Sequence, residues 1–176
     1  ESARVAFVMG GRHAWAVSIY RGPSALALAP IAGRRDPLFS GRDVTDIRCA
    51  SVADPFLLRR GGTWHLFVEA VNLDTGLGEI AHAESADLLT WTYQGVVLRE
   101  PVHLSYPCVF DWNGSVFMVP ETRQAAEVRL YVADPFPSRW RRVRTLVTGA
   151  YADATLAHAD GRWWILAQRG LDELRL

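Results

Sequence analysis

ADPFLLRRGGTWHLFVE, residues 53–69, reads as a strand, a glycine turn and a second strand, and the chain carries two more copies of this pattern. The second copy is SYPCVFDWNGSVFMVPE, residues 105–121, and the third is ADATLAHADGRWWILAQ, residues 152–168. All three align without gaps. Their second positions, Asp54, Tyr106 and Asp153, stand 52 and 47 residues apart. The turns are Arg60-Gly61-Gly62, Trp112-Asn113-Gly114 and Ala159-Asp160-Gly161. Asn-Gly and Asp-Gly are strong hairpin signals, because both central residues tolerate positive φ. The second strands (Trp64 to Val68, Val116 to Val119, Trp163 to Ala167) are runs of apolar residues, which suits a sheet buried on both faces.

Working outward, each hairpin is followed by further strands. Gly78 to Ser85 and Thr92 to Leu98 complete the first unit. Val128 to Ala133 and a strand from Trp140 through Val147 complete the second. Four strands in about 50 residues is the size of a β-propeller blade. No sustained i, i+3, i+4, i+7 apolar stripe supports a helical repeat. The sequence therefore predicts an all-β propeller, with blades at about 52–98, 104–148 and 151–176 in a single domain. Strands at 14–30 (Trp15 to Tyr20 and Ala25 to Ala29) are expected to belong to a blade that closes the ring. Pro37 to Asp46 reads as a loop. Leu174-Arg175-Leu176 resembles the start of a third strand, so the chain is expected to stop inside a blade. An interrupted ring exposes pairing edges, and association of two copies is the expectation that follows.

Composition narrows the class. The net charge is zero, which gives no electrostatic case for nucleic acid or an anionic membrane. No apolar run reaches the roughly 18 residues of a membrane helix. No signal peptide is visible, so the compartment is left open with the cytoplasm favoured. All 19 basic residues are arginine, which reads as codon bias in a GC-rich genome, bidentate binding of carboxylates or phosphates being the alternative; a bacterial source is expected. Cys49 and Cys108 show no metal-ligand spacing and read as free thiols. No phosphate loop, nucleophile elbow or metalloprotease motif is present. No cofactor and no metal is expected.

In a propeller the innermost strand of each blade lines the axis, so Asp54, Tyr106 and Asp153 are expected to converge there. Two carboxylates held close together split their pKa values and divide acid and base roles, as glycoside hydrolysis requires. The alternative is that Asp54 and Asp153 only bond local amides. Glu69 and Glu121 end the second strands and are expected beside Asp54 and Tyr106; ion pairs with Arg48, Arg123 or Arg129 are the alternative. His103, entering the second blade, is a pH-sensitive ligand contact or a solvated histidine. Asp46 reaches the channel mouth or bonds a neighbouring arginine, and Arg123 clamps an anionic group or forms a salt bridge. Trp64, Trp112, Trp163 and Trp164 are sugar-stacking faces or core.

Four segments stand in an order that resembles a known family: Val44-Thr45-Asp46-Ile47-Arg48, Val52 to Leu57, His103-Leu104-Ser105-Tyr106-Pro107 and Arg129-Leu130-Tyr131. They resemble the N-terminal domain of plant glucosamine inositolphosphorylceramide transferases and its bacterial relatives. That domain looks like the five-bladed propeller of glycoside hydrolase family forty-three. The resemblance implies an incomplete five-bladed ring, a carbohydrate ligand, Asp54 as base and Asp153 as the residue that tunes the acid. It places the general acid one blade further on, beyond Leu176. Tyr106, His103, Glu121, Glu69, Asp46 and Arg123 are the candidate substrate contacts. Three roles stand open: a hydrolase-like enzyme, a non-catalytic glycan-binding or scaffold module attached to a glycosyltransferase, and a protein-interaction propeller. The Gly-His and Trp-Asp signatures of that last class are absent.

Overall fold

Each repeat closes on a two-residue turn with positive φ at both central positions. Gly61 and Gly62 stand at 58° and 86°, Asn113 and Gly114 at 49° and 79°, and Asp160 and Gly161 at 52° and 70°. That is the type I′ turn, whose twist matches the right-handed twist of the strands it joins. The computed structural model describes residues 2–10, 14–33, 36–170 and 173–175.

The strands form four successive antiparallel sheets. The first holds β1 (Ser2–Gly10), β2 (Ala14–Gly22) and β3 (Ala29–Pro30), with β4 (Phe39–Ser40) also paired to β2. The second runs in order through β5 (Cys49–Arg60), β6 (Thr63–Asn72), β7 (Gly78–Ser85) and β8 (Thr92–Leu98). The third repeats that order with β9 (Ser105–Trp112), β10 (Ser115–Glu121), β11 (Glu127–Ala133) and β12 (Trp140–Thr148). The fourth holds β13 (Tyr151–Ala159), β14 (Arg162–Arg169) and β15 (Glu173–Arg175), with Leu176 outside the described residues. The first strands of the last three sheets touch in turn, β5 against β9 and β9 against β13.

Two N-terminal expectations change. The strand expected over Ala25–Ala29 is mostly a turn: the Ala27 N–H donates to the Ser24 carbonyl, the Leu26 N–H donates to Ser24 Oγ, and pairing resumes only at Ala29. The expected loop at 37–46 contains β4 and a short 3-10 turn, Gly41–Asp43.

The apolar runs of β6 and β10 bury both faces, whereas that of β14 does not: Trp163 and Trp164 are 40% and 48% exposed, and among the described residues the core of this sheet packs against the third sheet alone. On β6, Leu66, Val68 and Ala70 pack with Val17 and Phe39 of the first sheet. Phe67, between them in sequence, packs the other way, against Met118 and Tyr131 of the third sheet and Leu104 just before it. Val119 and Val128 then meet Ala154 and Ala167 of the fourth sheet. Fully burying a side chain such as Phe67 contributes about 1.5–3 kcal/mol, so these seams hold the sheets face to face. Among the described residues no helix is long and apolar enough to cross a membrane.

Each inner strand is irregular at the same repeat position. Ala53 pairs with Glu69 and Phe56 with Phe67, so Asp54 and Pro55 together oppose one residue of β6. Ser105 to Cys108 on β9 and Ala152 to Thr155 on β13 slip in the same way. The first residue of each bulge is left-handed: Asp54 at φ 47°, Tyr106 at 45° and Asp153 at 52°. Aspartate tolerates this region, whereas a bulky tyrosine there is an outlier that costs about 1–2 kcal/mol. Bulges re-aim side chains, and backbone strain of this kind clusters at functional sites.

Candidate functional site

The bulges create a chain of contacts that runs from one sheet to the next. Asp54 Oδ2 accepts the Tyr106 N–H at 3.1 Å. One sheet on, Glu121 Oε2 accepts the Asp153 N–H at 3.0 Å. In each case a carboxylate of one sheet holds the strained backbone position of its neighbour. The Tyr106 side chain reaches on to the fourth sheet, with its hydroxyl 2.8 Å from Thr155 Oγ1. Its ring packs edge-on against Phe56, centroids 4.9 Å apart.

Glu69 and His103 form the second layer. Glu69 is 8% exposed, and its Oε1 lies 2.9 Å from His103 Nε2. The Gly78 N–H donates to His103 Nδ1 at 2.9 Å, so the N–H facing Glu69 is on Nε2. The close approach needs glycine at 78. A Cβ there would lie 2.3 Å from the Leu104 carbonyl oxygen, 2.8 Å from Glu69 Oε1 and 2.9 Å from His103 Cε1.

These groups feel one another electrically. Burial, then the charges of Glu69 and Asp153, push the Asp54 carboxyl up to about 6. Glu121 is also pushed up, by burial and by Asp153, with Arg123 and His103 opposing. The hydrogen bond to Glu69 raises His103, and burial opposes it. Asp54 and Glu121 therefore hold protons more tightly than isolated carboxylates, which is the condition under which such groups exchange protons near neutral pH.

Asp54 and Glu69 also line a cleft of about 510 Å³ with Ser51, Ala53, Val71 and Trp15. Trp15 comes from β2 of the first sheet and is 42% exposed. An aromatic wall beside carboxylates is a common composition for a polar-ligand site. Sequence reading passed over Trp15, which lies outside the repeats. It considered Trp64, Trp112, Trp163 and Trp164 instead. Trp112 and Trp163 pack on each other and on His158, and Trp64 packs with Ile19 and Leu88 and lies under Arg59.

The remaining candidates divide. Asp46 stands apart from the central group: it accepts from Tyr93 Oη and from the Val96 N–H on β8, the outermost strand of its sheet, with Arg99 Nη2 3.6 Å away. Arg123 is exposed next to Glu121. Arg48 pairs with Asp74, and Arg129 with Glu100 and Glu127, so those arginines are engaged elsewhere.

One further group can hold a cation. His65, His82 and Glu84 bring three ligand atoms within 4.8 Å of one another. Sequence spacing did not show it, because the residues lie on two strands and become neighbours only through the pairing of β6 with β7.

A family model described as the N-terminal domain of glucosamine inositolphosphorylceramide transferase 1 matches residues 9–172. The chain is 36% identical over 182 residues to glucosamine inositolphosphorylceramide transferase 1 of Oryza sativa subsp. indica, covering 95% of this chain and 24% of that protein. It is 32% identical over 167 residues to the Arabidopsis thaliana protein of the same name, covering 86% of this chain and 22% of that one. The chain thus spans about a quarter of the length of these relatives. They are plant proteins, a finding that corrects the expected bacterial source. In fold the chain is similar to an exo-β-1,3-galactanase from Phanerochaete chrysosporium, with TM-score 0.72 and 12% identity, covering 98% of this chain and 42% of that one. It is also similar to the GH32 β-fructofuranosidase of Bombyx mori, with TM-score 0.66 and 13% identity, covering 94% and 39%. At such identities the likeness shows the propeller fold of glycoside hydrolases and nothing finer.

Proposed function

Because the chain belongs to the family of glucosamine inositolphosphorylceramide transferase 1 N-terminal domains, we propose that its centre handles a glycan, with Asp54 as the proton-accepting carboxylate. The observation that carries this reading is the recurrence of one strained, left-handed inner-strand position in three sheets, twice occupied by aspartate. In this reading Asp54 activates a water and Asp153 tunes the group that protonates the leaving oxygen. An Asp54 carboxyl near 6 is still about 90% ionised at pH 7, yet it is a stronger base than an ordinary carboxylate. Trp15 supplies the apolar face on which a sugar ring stacks. The five-bladed ring implied by family forty-three is part of the same proposal.

The site's charge favours one class of sugar. Asp54, Glu69, Glu121 and Asp153 outnumber His103 and Arg123, so the centre suits a cationic amino sugar. The relatives' name carries glucosamine, whose amine is protonated at neutral pH.

A second reading is recognition without turnover. It is favoured by the two amide bonds, which occupy one oxygen each of Asp54 and Glu121 in joining sheets. Glucosamine-terminated glycans, and their N-acetylated counterparts as controls, are screened for binding and hydrolysis with the full-length protein that carries this chain and with its Asp54→Asn and Asp153→Asn variants. Turnover abolished in both folded variants supports the hydrolase-like reading. Binding without turnover supports recognition, and absence of both rejects the glycan site.

A further inference from the structure

We propose that His65, His82 and Glu84 form a divalent-metal site, suited to zinc, in the seam between the second and third sheets. His65 pairs in register with Glu84 across β6 and β7, and His82 lies two residues before Glu84 on the same face. His65 Nδ1 is 3.1 Å from His82 Nε2 and 3.4 Å from Glu84 Oε1, and His82 Nε2 is 3.9 Å from Glu84 Oε1. Zinc–ligand bonds of about 2.0–2.1 Å in a tetrahedron put ligand atoms ~3.3–3.4 Å apart, so one ion fits among these three with small adjustments. Two imidazoles and a carboxylate, leaving a fourth position for water, form a zinc donor set.

The surroundings fix the ligands. The His82 ring stacks on Phe67 at 4.8 Å, and Phe136, from the turn joining β11 to β12, meets the His65 ring edge-on at 4.7 Å. The Arg60 main chain also bonds the His65 ring. The Arg60 side chain is engaged by Asp111 and the Gly114 carbonyl, which offsets its charge. His82 is 1% exposed and turns Nε2 to the cluster, while its buried Nδ1, on the far side of the ring, has no hydrogen-bond partner among the described residues. Glu84 also lines a surface pocket with Thr63, Thr92 and Gln94, which gives an ion its route in.

The test is zinc titration of the chelator-stripped chain, followed by calorimetry and thermal unfolding. One equivalent is expected to bind, and Tm to rise by roughly 5–10 °C at zinc one hundred times Kd. Cobalt in place of zinc is expected to give the visible bands of a tetrahedral site. Glu84→Gln is the informative variant, because Glu84 is partly exposed and its loss spares the core; binding is expected to weaken at least tenfold. His65→Gln gives an independent second check with the same expectation. A folded, stripped chain that binds no zinc overturns the proposal. So does stoichiometric binding that both variants leave unchanged.

Discussion

Replacing Asp54 by asparagine should make the protein more stable at neutral pH. The folded carboxyl titrates at about 6 against an ordinary 3.8, a shift of about two units. Each unit corresponds to ~1.36 kcal/mol, so the charged form is worse off in the fold than out of it by about 3 kcal/mol. Solvent reaches a half-buried carboxylate, and ~2 kcal/mol is the working figure after that screening. The folded value lies above the unfolded one, so the penalty is absent below about pH 3.8, grows as pH rises towards 6, and is complete above it. Asparagine carries no charge, and its side-chain oxygen still accepts the Tyr106 N–H. The variant should therefore melt about 4–8 °C higher than the native chain at pH 7.5, with the gap closing by pH 4. Thermal unfolding by circular dichroism across that range measures it. A gap that stays constant with pH, or a variant that loses stability as pH rises, would refute the assignment of a strained charge to Asp54.

Two further outcomes follow from the same neighbourhood. Gly78→Ala should destabilise the fold by more than ~3 kcal/mol, because the added carbon meets the Leu104 carbonyl, a backbone atom that cannot turn aside; urea unfolding tests it, and a loss under 1 kcal/mol would rule out the close approach. Glu69→Gln should lower the His103 pKa, since the Glu69 hydrogen bond is the first cause of its rise; imidazole shifts followed by NMR decide, and an unmoved midpoint would break the pairing.

Much of this arrangement is written in local sequence. Asn113-Gly114 and Asp160-Gly161 specify their turns, because few other pairs tolerate two positive φ values in succession. The apolar runs of β6 and β10 announce burial on both faces, while the similar run of β14 leaves Trp163 and Trp164 exposed. Repetition aligns Asp54, Tyr106 and Asp153 within the sequence itself. The left-handed bulge has no such signature. Asp-Pro, Tyr-Pro and Asp-Ala share no turn chemistry, and the conformation is imposed by neighbouring sheets rather than by the residues themselves. Trp15 was invisible for another reason: it belongs to a sheet outside the repeats, so no equivalence pointed to it. His65 and Glu84 become neighbours only once β6 and β7 are paired, and Asp46 is drawn to the outer strand by Tyr93 and Arg99, which are about fifty residues distant in sequence.

The amide bonds from Asp54 to Tyr106 and from Glu121 to Asp153 also bear on how such a chain is recombined. The middle repeat looks like a module, yet it carries the acceptor for the next repeat, Glu121, and the donor to the one before, the Tyr106 N–H. A chimera cut at the loops between blades would pair acceptors from one parent with donors from another at every joint. A crossover placed inside a blade, between β6 and β7, keeps Asp54 with its own Glu69 but hands Tyr106 to a stranger. The inheritable unit is thus offset from the visible one: it runs from the inner hairpin of one blade to the inner hairpin of the next.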